Sequence, residues 1–582
     1  MSSLQDPIGK YLPYVAIDLP NREWPSRRVT SPPVWCSTDL RDGNQALEQP
    51  MTVEQKTLFF RHLVKCGFKE IEIAFPSASS AEFDFVQTLI KDGEIPDDVW
   101  IQVMTPARPD LIIRTMEALA GANKAIVQFY AAGCPCFREV VYNKTEEELV
   151  DRVVQATDLL RQLADENRAK YGTKFRLCYA LETFSQTEPD MALKICTAVK
   201  EAWGPGEDGP MIMCLPSTTE VAPTNHFADQ IEYFCKNFKY RKDVVISLHT
   251  HNDRGTAVAA SEVGLLAGAD RVDGTLFGNG ERSGNVDIVT LALNLFTQGI
   301  HPGLDFGNLQ ESIDIYTKCT QLPIHPRHPY SGSLVYTAFS GSHQDAIKKG
   351  LEKRALALAN GVSPCRWDIP YLLLDPADIG RNYDALIRVN SQSGKGGIAF
   401  IIKERLGVDL PRPVQVEFYN VVQSLNEKRQ KDMPTEEIIQ LFRSYYYFGD
   451  SAAANARLIL DTSSVSIATS PDSGSTSFRG TIVSDGKRHT IYGEGETEQI
   501  AFLSALEKPL GCYFGIRQGD ERTPVSYGQT ITTTFVHLGR RGPPGADAAT
   551  WGVGLDREPS IARLRSVVSA VNKLLGSRHI HA

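Results

Sequence analysis

Two histidines separated by one residue occur in the segment LHTHND (248–253), at the end of a short apolar run. On a β-strand, side chains two positions apart lie on the same face, so His249 and His251 would present their imidazoles together. Asp42 follows another apolar run. Two imidazoles and a carboxylate suit a divalent cation, and the pattern therefore predicts a metal site. The alternative is a structural pair of histidines bonded to loop carbonyls.

Other polar residues also follow apolar runs. Arg41, beside Asp42, could hold a keto oxygen or a developing enolate, although a salt bridge at the rim is the simpler interpretation. Glu182 and Thr218 follow two further runs, and Asn285 offers another oxygen ligand. If the runs are parallel strands of one sheet, these side chains lie together at its carboxyl-terminal edge. Active sites are found at that edge.

The elements that would position these side chains alternate along the chain. Short apolar runs, rich in β-branched and aromatic residues, recur between longer amphipathic segments at 34–38, 70–75, 99–104, 125–131, 175–181, 211–215, 244–250 and 271–277. Such runs indicate buried parallel strands covered by helices. Their number predicts an α/β fold with a (β/α)8 TIM barrel. A doubly wound open sheet is the competitor, but no Gly-x-Gly-x-x-Gly follows the first run.

Composition restricts the class of protein. The chain has 582 residues, a net charge of −9 and 42% hydrophobic residues, which is typical of a globular protein. No apolar run reaches the roughly 18–20 residues of a membrane helix, and mild acidity disfavours nucleic-acid binding. Eleven cysteines are too sparse for a disulfide scaffold, and the N-terminus lacks secretory or transit character. We therefore expect a cytoplasmic enzyme, with a mitochondrial location still open.

The pattern after the barrel changes twice. Residues 305–449 are mainly helical in pattern, residues 450–480 are Ser-rich, and the remainder mixes strand-like runs with helices. The predicted domains are an N-terminal segment (1–33), the barrel (34–304), helical subdomains (305–449), a linker (450–480) and a C-terminal α+β regulatory-type domain (481–582).

Several long motifs resemble the 2-isopropylmalate synthase family in its longer form. They are RDGNQAL (41–47), SLHTHNDRGTAVAA (247–260), LFGNGERSGNVDIVTLALNLF (276–296), HPYSGSLVYTAFSGSHQDAIKKG (328–350) and NSQSGKGGIAF (390–400). The resemblance implies a metal-dependent barrel enzyme that condenses acetyl-CoA with a 2-oxo acid, giving a 2-alkylmalate and CoA. It also implies a divalent cation (Zn, Mn or Mg), a homodimer and a place in leucine biosynthesis.

The resemblance also assigns roles to individual residues. The residues implied to ligate the metal are Asp42, His249, His251 and Asn285. Catalytic roles fall to Arg41, Glu182, His343, Tyr371 and Glu281, of which His343 and Tyr371 come from the segment after the barrel. The residues implied to contact the 2-oxo acid are Thr218, Tyr130, Gln128 and Ala180. Those implied to line the CoA side of the site are Gly278, Asn279 and Gly280.

The chain departs from the family at a few positions. Gln128 stands where the family has a histidine, and Ala180 where it has a serine. We hypothesise a 2-oxo acid larger than 2-oxoisovalerate, for example an arylpyruvate giving a benzylmalate-type product in specialised metabolism. The alternative is that these substitutions are neutral and that the chain is an ordinary enzyme of leucine biosynthesis. The turn at 493–498 and the segment 512–522 also differ from the leucine-binding pattern, so we expect a weak response to leucine.

Two other functional classes stay open at this level. A lyase of the same superfamily would catalyse C–C bond cleavage. Such lyases, however, generally lack the segment that contains His343 and Tyr371, and they lack the C-terminal module. An inactive metabolite-binding regulator would be expected to lose the metal ligands or Arg41, and all of these are present.

Overall fold

The computed structural model describes residues 10–11, 13–338, 340–381, 395–429, 433–447, 456–471, 474–522, 525–526, 529–541 and 548–576. The chain divides into two compact units. Met1–Val335 with Leu374–Asn382 form the first, and Tyr336–Leu373 with Tyr383–Ala582 form the second. Within the described ranges, no helix is both long and apolar enough to cross a membrane.

The first unit contains a closed barrel of parallel strands, which confirms the predicted (β/α)8 barrel and excludes the open sheet. The strands pair in chain order, and the last pairs with the first. They are β1 (Val34–Ser37), β2 (Glu70–Ala74), β3 (Trp100–Pro106), β4 (Lys124–Ala132), β5 (Lys174–Glu182), β6 (Met211–Ser217), β7 (Val244–Thr250) and β8 (Arg271–Gly274).

Helices cover the outside of the barrel. They are α1 (Val53–Lys65), α2 (Ser80–Lys91), α3 (Pro109–Ala118), α4 (Glu146–Tyr171), α5 (Pro189–Trp203), α6 (Thr224–Asn237), α7 (Ala257–Leu266), α8 (Ile288–Thr297) and the added α9 (Leu309–Thr320). A capping box opens α1: the Thr52 and Gln55 side chains each accept a hydrogen bond from the other's backbone N–H. Because both strand faces are covered, strands such as β2 and β6 are buried along their whole length.

The strand register brings the polar strand ends to one rim. Pro216 of β6 pairs with His249 of β7, and His249 pairs with Asp273 of β8. Glu182 closes β5 opposite Ala132 of β4. The carboxyl ends of all these strands therefore surround one opening, as a barrel active site requires.

A buried polar network lies inside the barrel. Arg271, fully buried, donates to Glu70 Oε2 at 2.6 Å, to Gln102 Oε1 at 2.8 Å and to Ser247 Oγ at 3.0 Å. Its Nη1 also lies 2.7 Å from Asp273 Oδ1. A buried guanidinium is tolerated only when it is paired in this way, since desolvating an isolated charge is costly.

The described helices of the second unit are α10 (Gly341–Ala359), α11 (Lys395–Leu406), α12 (Arg412–Arg429), α13 (Thr435–Tyr445), α14 (Glu498–Leu510) and α15 (Pro559–Leu574). Helices α11 to α13 share a hydrophobic core with two later strands, and this core includes Ile402, Val414, Phe418, Phe442, Tyr446, Phe535, Trp551 and Val553. Of the Gly-rich motif at 390–397, residues 390–394 lie outside the described residues.

The strands of the second unit form antiparallel sheets ordered β11-β10-β9 and β12-β15-β16, with a short β13-β14 pair. They are β9 (Leu458–Thr469), β10 (Thr476–Ser484), β11 (Lys487–Gly495), β12 (Tyr513–Arg522), β13 (Val525–Ser526), β14 (Gln529–Thr530), β15 (Thr532–Arg541) and β16 (Ala549–Asp556).

The prediction that residues 450–480 form a linker is wrong for most of the described residues in this range. β9 and the start of β10 occupy this range and pair with each other. Leu458 and Phe478 are fully buried in the core of the sheet, so the Ser-rich composition masked strands with an apolar face. Serines on the exposed face of such a strand do not prevent pairing.

The module contains two similar strand–helix contacts at glycines. A Cβ at Gly493 of β11 would lie 2.4 Å from the Ala501 carbonyl oxygen of α14, and one at Gly552 of β16 would lie 2.1 Å from Ser566 O of α15. Two residues further along each strand, Gly495 also faces α14 and Gly554 also faces α15. The Gly-rich segment at 493–498 therefore allows close helix packing, whatever else it does.

Candidate active site and metal centre

A cavity of about 290 Å³ opens among the carboxyl ends of the barrel strands. Most of the residues predicted for the site line it together. They are Arg41, Asp42, Gln128, Tyr130, Ala180, Glu182, Thr218, His249, His251 and Glu281. These residues lie in or just after six of the eight strands, although the sequence separates them by up to 240 positions.

Asp42, His249 and His251 bring three metal-type donor atoms within 4.8 Å of one another. His249 Nε2 lies 3.6 Å from Asp42 Oδ2 and 3.3 Å from His251 Nε2. β7 positions His249, and an isolated bridge between His251 and Asn285 fixes the residue just beyond it. This is the arrangement expected of two imidazoles and one carboxylate on a divalent cation.

The charge states of these groups suit a cation. Burial opposes ionisation of Asp42, but Arg41, His249 and His251 outweigh it and hold the pKa of this carboxyl far below its usual value. Burial, and then the neighbouring His249, lower the pKa of His251 to about 4. At neutral pH the site therefore offers a carboxylate and a neutral imidazole, the forms that ligate metals.

Asn285 lies beside this trio. Its Nδ2 donates to Asp42 Oδ2 at 2.6 Å and to the Asn279 carbonyl at 3.0 Å. Its Oδ1 is buried and has no hydrogen-bond partner among the described residues. A buried acceptor left unpaired calls for a ligand or a cation, so the donor set fits a bound metal.

Arg41 is held from two sides. A short turn of π-helix, Asp39–Gly43, follows β1 and directs the buried Arg41 inward. Its Nη1 donates to Asp42 Oδ1 at 3.1 Å, and its Nη2 donates to Glu72 Oε2 at 2.8 Å. Its Nε has no partner in the described part of the chain. The guanidinium is thus fixed at the wall of the cavity by two carboxylates.

Glu182 and Thr218 meet at the ends of β5 and β6. Burial raises the pKa of Glu182, so its carboxyl holds a proton more readily than an exposed glutamate. The Thr218 hydroxyl accepts from the Thr183 N–H at 2.8 Å, which fixes its position. Tyr130 lies in the same cavity, and burial is the main cause of its raised pKa.

Gln128 is part of a buried chain of polar contacts. Its Nε2 donates to Glu72 Oε1 at 3.2 Å, and its Oε1 accepts from Gln102 Nε2 at 3.2 Å. Through Glu72, which also binds Arg41, this residue joins the cavity to the network inside the barrel. Ala180, on the neighbouring strand β5, also lines the cavity and adds only a methyl group.

The loop GNGERSGN (278–285) covers one side of the site. Gln45 donates to Glu281 Oε1 at 3.2 Å, and Asn279 Nδ2 donates to the Gly43 carbonyl at 2.9 Å. Gly280 is required here, since a Cβ would lie 2.2 Å from Asn285 Nδ2. Of the predicted CoA-side residues Gly278, Asn279 and Gly280, none lines the cavity, and the structure gives them roles in shaping the loop.

His343 and Tyr371 do not line this cavity and belong to the second unit. There they lie against each other, with ring centroids 4.0 Å apart and planes inclined by 28°. Tyr371 has a φ of +63°, a conformation that costs energy for a non-glycine residue. The two residues therefore form a stacked pair within the second unit, and their catalytic role stays a prediction.

Sequence reasoning missed several residues of the site. Glu72, the partner of Arg41, was visible as a carboxylate inside the apolar run EIEIAF. Gln45 and Arg282 lie in motifs that the resemblance covered, yet carried no assignment. The apolar lining carried no signal, because these residues are ordinary within strands: Phe75, Met104, Cys214 and Pro216.

The chain is similar to known enzymes over its whole length. A family model described as HMGL-like matches residues 33–315, and one described as alpha-isopropylmalate synthase, post-catalytic domain-like, matches 333–403. Among solved structures, an HMG-CoA lyase from Brucella melitensis covers 50% of this chain and 100% of its own, at 17% identity and a TM-score of 0.40.

Curated relatives extend the match to both ends. The 2-isopropylmalate synthases of Pseudomonas entomophila and Pseudomonas syringae pv. syringae are each 46% identical over 582 residues, covering 100% of both chains. That of Ralstonia nicotianae is 46% identical over 580 residues, or 100% of this chain and 97% of its own. The chain belongs to the 2-isopropylmalate synthase family and is an acyltransferase-type condensing enzyme.

Proposed function

We propose that the chain condenses acetyl-CoA with 2-oxoisovalerate and water, giving 2-isopropylmalate and free CoA. The observation that carries this proposal is the placement of Asp42, His249 and His251 in one cavity with Arg41 and Glu182. A 2-oxo acid presents a carboxylate and a ketone oxygen side by side, which suits a divalent cation flanked by a guanidinium.

The branched-chain substrate is preferred over an arylpyruvate. The relatives reported above are all named 2-isopropylmalate synthase, and none is named for an aryl substrate. The cavity wall adds Phe75 and Met104, bulky groups that suit a short aliphatic side chain. Ala180 and Gln128 enlarge the pocket only locally, and one methylene is worth about 1–3 kcal/mol of discrimination.

Asp42, His249 and His251 would hold the cation, with Asn285 beside them. When bound, the cation would supply Lewis-acid polarisation of the ketone and a template for the 2-oxo acid. Arg41, which lines the cavity and is fixed by Glu72, would donate an N–H of its guanidinium to an oxygen of the substrate. This donor would stabilise the alkoxide that forms when the acetyl methyl carbon bonds to the ketone carbon.

Glu182 would donate a proton to the same oxygen. Burial raises the pKa of this carboxyl above its usual value, which favours the protonated form that can donate to the alkoxide. Thr218, fixed by the Thr183 N–H, would contact the substrate carboxylate. Tyr130 would border the side-chain pocket.

Three further assignments complete the proposal. His343 would serve as a base, assisting removal of the methyl proton or attack of water on the thioester, and Tyr371 would orient its ring by stacking. Glu281 would orient the loop over the CoA side through Gln45. In the overall balance, the methyl group loses a proton, a C–C bond forms, and water cleaves the thioester to release the thiol.

A panel of 2-oxo acids tests this function. Purified protein with acetyl-CoA and Mn²⁺, Mg²⁺ or Zn²⁺ is expected to release thiol fastest with 2-oxoisovalerate, and mass spectrometry should find 2-isopropylmalate. Faster release with phenylpyruvate would instead support the benzylmalate-type alternative. C–C cleavage of a 3-hydroxyacyl-CoA without condensation would indicate a lyase, and no turnover with any 2-oxo acid would indicate a regulator.

His249→Ala provides the matched test of the centre. It should abolish thiol release and lower Mn²⁺ affinity, because it removes one of three donors. His301→Ala, at an exposed histidine outside the cavity lining, should leave both unchanged.

A further inference from the structure

Arg282 ties three strand-end loops together at the mouth of the cavity. Its Nε donates to Asp253 Oδ1 at 2.7 Å, and its Nη2 donates to Asp253 Oδ2 at 3.2 Å. The same Nη2 donates to the Thr218 carbonyl at 2.5 Å. Because Thr218 follows β6, Asp253 follows β7 and Arg282 follows β8, one guanidinium joins consecutive loops around the barrel.

Asp253 extends this connection along the rim. Its Oδ2 accepts a hydrogen bond from the Glu220 N–H at 3.2 Å. Glu220, buried, in turn accepts from the Arg254 N–H at 2.5 Å and from the Thr256 hydroxyl at 2.5 Å. The loops after β6 and β7 are therefore bonded to each other in both directions, and Arg282 adds the third.

The backbone at Arg282 supports a specific role for this side chain. Its φ of +56° lies in the left-handed region, which costs energy for a residue with a Cβ. The loop is also fixed by the Asn252 N–H, which donates to the Gly284 carbonyl at 2.9 Å. A strained residue persists where its surroundings hold it, and here the bidentate pair with Asp253 does so.

The residues held by this arrangement are those of the proposed site. Thr218, whose carbonyl accepts from Arg282, is the proposed substrate contact. His251 lies two positions before Asp253, and Glu281 and Asn285 lie in the same loop as Arg282. Displacing any of these loops would shift a ligand or a contact, and a displacement of about 1 Å can cost about 10²-fold in rate.

We propose that Arg282, through Asp253 and the Thr218 carbonyl, is a positioning residue that fixes the loops after β6, β7 and β8 for catalysis. This inference rests on the proposed condensation. Arg282 lines the cavity, but its Nε and Nη2 are engaged by Asp253 and Thr218, so the role proposed for it is positioning and not contact with the substrate.

Arg282→Met tests the role by removing the donors while keeping the length of the side chain. We expect kcat to fall about 10–100-fold, as for residues that orient ligands, with KM for acetyl-CoA unchanged. Asp253→Asn should lower kcat in the same direction, and the double variant should be no worse than the more damaged single variant, because both break one connection. Arg282→Lys should recover part of the loss, since one donor and the charge remain.

A matched control is available on the barrel surface. Arg61 binds both oxygens of Glu94 at 2.8 and 2.5 Å, and both residues lie away from the cavity lining. Arg61→Met should therefore leave kcat unchanged. Hydrogen exchange gives a readout independent of turnover: in Arg282→Met the amides of residues 218–220 and 278–285 should exchange faster, at an unchanged melting temperature.

The outcomes separate this inference from the proposed function. If the wild-type protein releases no thiol, the condensation is wrong, and the exchange experiment still tests whether Arg282 orders the loops. If the wild-type protein turns over and Arg282→Met matches it in kcat and exchange, Arg282 is not a positioning residue. A rise in KM for acetyl-CoA at unchanged kcat would also overturn the inference, because it would indicate a direct contact with CoA.

Discussion

Arg41 Nη2 donates to Glu72 Oε2 at 2.8 Å, and both side chains are buried inside the barrel. The pair links the turn after β1 to β2 and leaves Arg41 Nε without a partner among the described residues. Glu72 Oε1 also accepts from Gln128 at 3.2 Å. The direction of the Arg41 guanidinium is therefore set by a carboxylate that does not itself line the cavity.

Glu72→Gln should lower kcat/KM and destabilise the barrel. The substitution keeps the shape of the side chain but leaves the Arg41 charge with Asp42 as its remaining carboxylate partner within bonding distance. Breaking a buried ion pair by removing one partner costs about 3–5 kcal/mol. Urea unfolding and steady-state thiol release would measure the two effects, and a variant with wild-type values in both would contradict the role of Glu72.

Removal of divalent cations should lower the stability of the protein. A ligand that binds only the folded state at 100 times its Kd adds about 2.7 kcal/mol to the free energy of unfolding. Dialysis against a chelator should therefore lower the melting temperature, and Mn²⁺ should restore it in the wild type but not in His251→Ala. Equal melting temperatures with and without cation would show that Asp42, His249 and His251 hold no metal.

Gly284→Ala should impair both folding and turnover. Gly284 has a φ of +101°, and a Cβ there would lie 2.0 Å from the Gly278 carbonyl oxygen. Gly299 is a control with a φ of +82° and open space around the position of a Cβ. Gly299→Ala should show only the backbone cost, whereas Gly284→Ala should in addition displace the loop and lower kcat. Similar losses in both variants would mean that the close contact is unimportant.

The barrel and the clustering of metal-type donors could be predicted because their signals are local. Alternating apolar runs indicate strands, and the spacing of His249 and His251 places both imidazoles on one face. The pairing of Arg41 with Glu72 could not be predicted, because it depends on which strands become neighbours after closure. Arg282 was equally hidden, since an arginine in a Gly-rich loop has the composition of any surface turn.

The second unit shows the limit of composition as a guide. Residues around Ser463 and Ser464 have the composition of a linker, yet they lie within β9, whose buried end at Leu458 packs into the core. The glycine at 493 was compared with a ligand-binding turn, but its place in β11 against α14 gives it a packing role. The linker prediction failed because a solvent-facing strand and a loop share the same small polar residues, whereas the weak response to leucine stays a prediction.

Lys573 connects α15 to the helical part of the second unit. It is about nine-tenths buried, donates to Glu417 Oε1 at 2.5 Å and to the Trp551 carbonyl at 2.9 Å, and lies 4.0 Å from the Tyr445 ring centroid. Burial lowers the pKa of Lys573 from 10.5 to about 8, although Glu417 opposes the shift.

The stability of the wild type relative to Lys573→Met should therefore rise with pH. Below about pH 8 this lysine is protonated in the folded and the unfolded chain alike. Between about 8 and 10.5 the folded chain releases the proton while the unfolded chain keeps it, so this group adds to the free energy of unfolding as pH increases. In Lys573→Met that contribution is absent, and Glu417 keeps the Tyr446 hydroxyl and the Trp551 N–H as donors.

Thermal unfolding of the full chain between pH 7 and pH 10 measures this difference. The melting temperature of the wild type minus that of Lys573→Met should increase across the range, since other groups that titrate are common to both proteins. Lys349→Met, at an exposed lysine on α10, should show no such trend. A difference between wild type and Lys573→Met that stays constant, or that falls with pH, would mean that Lys573 remains protonated in the folded unit and that Glu417 outweighs its burial.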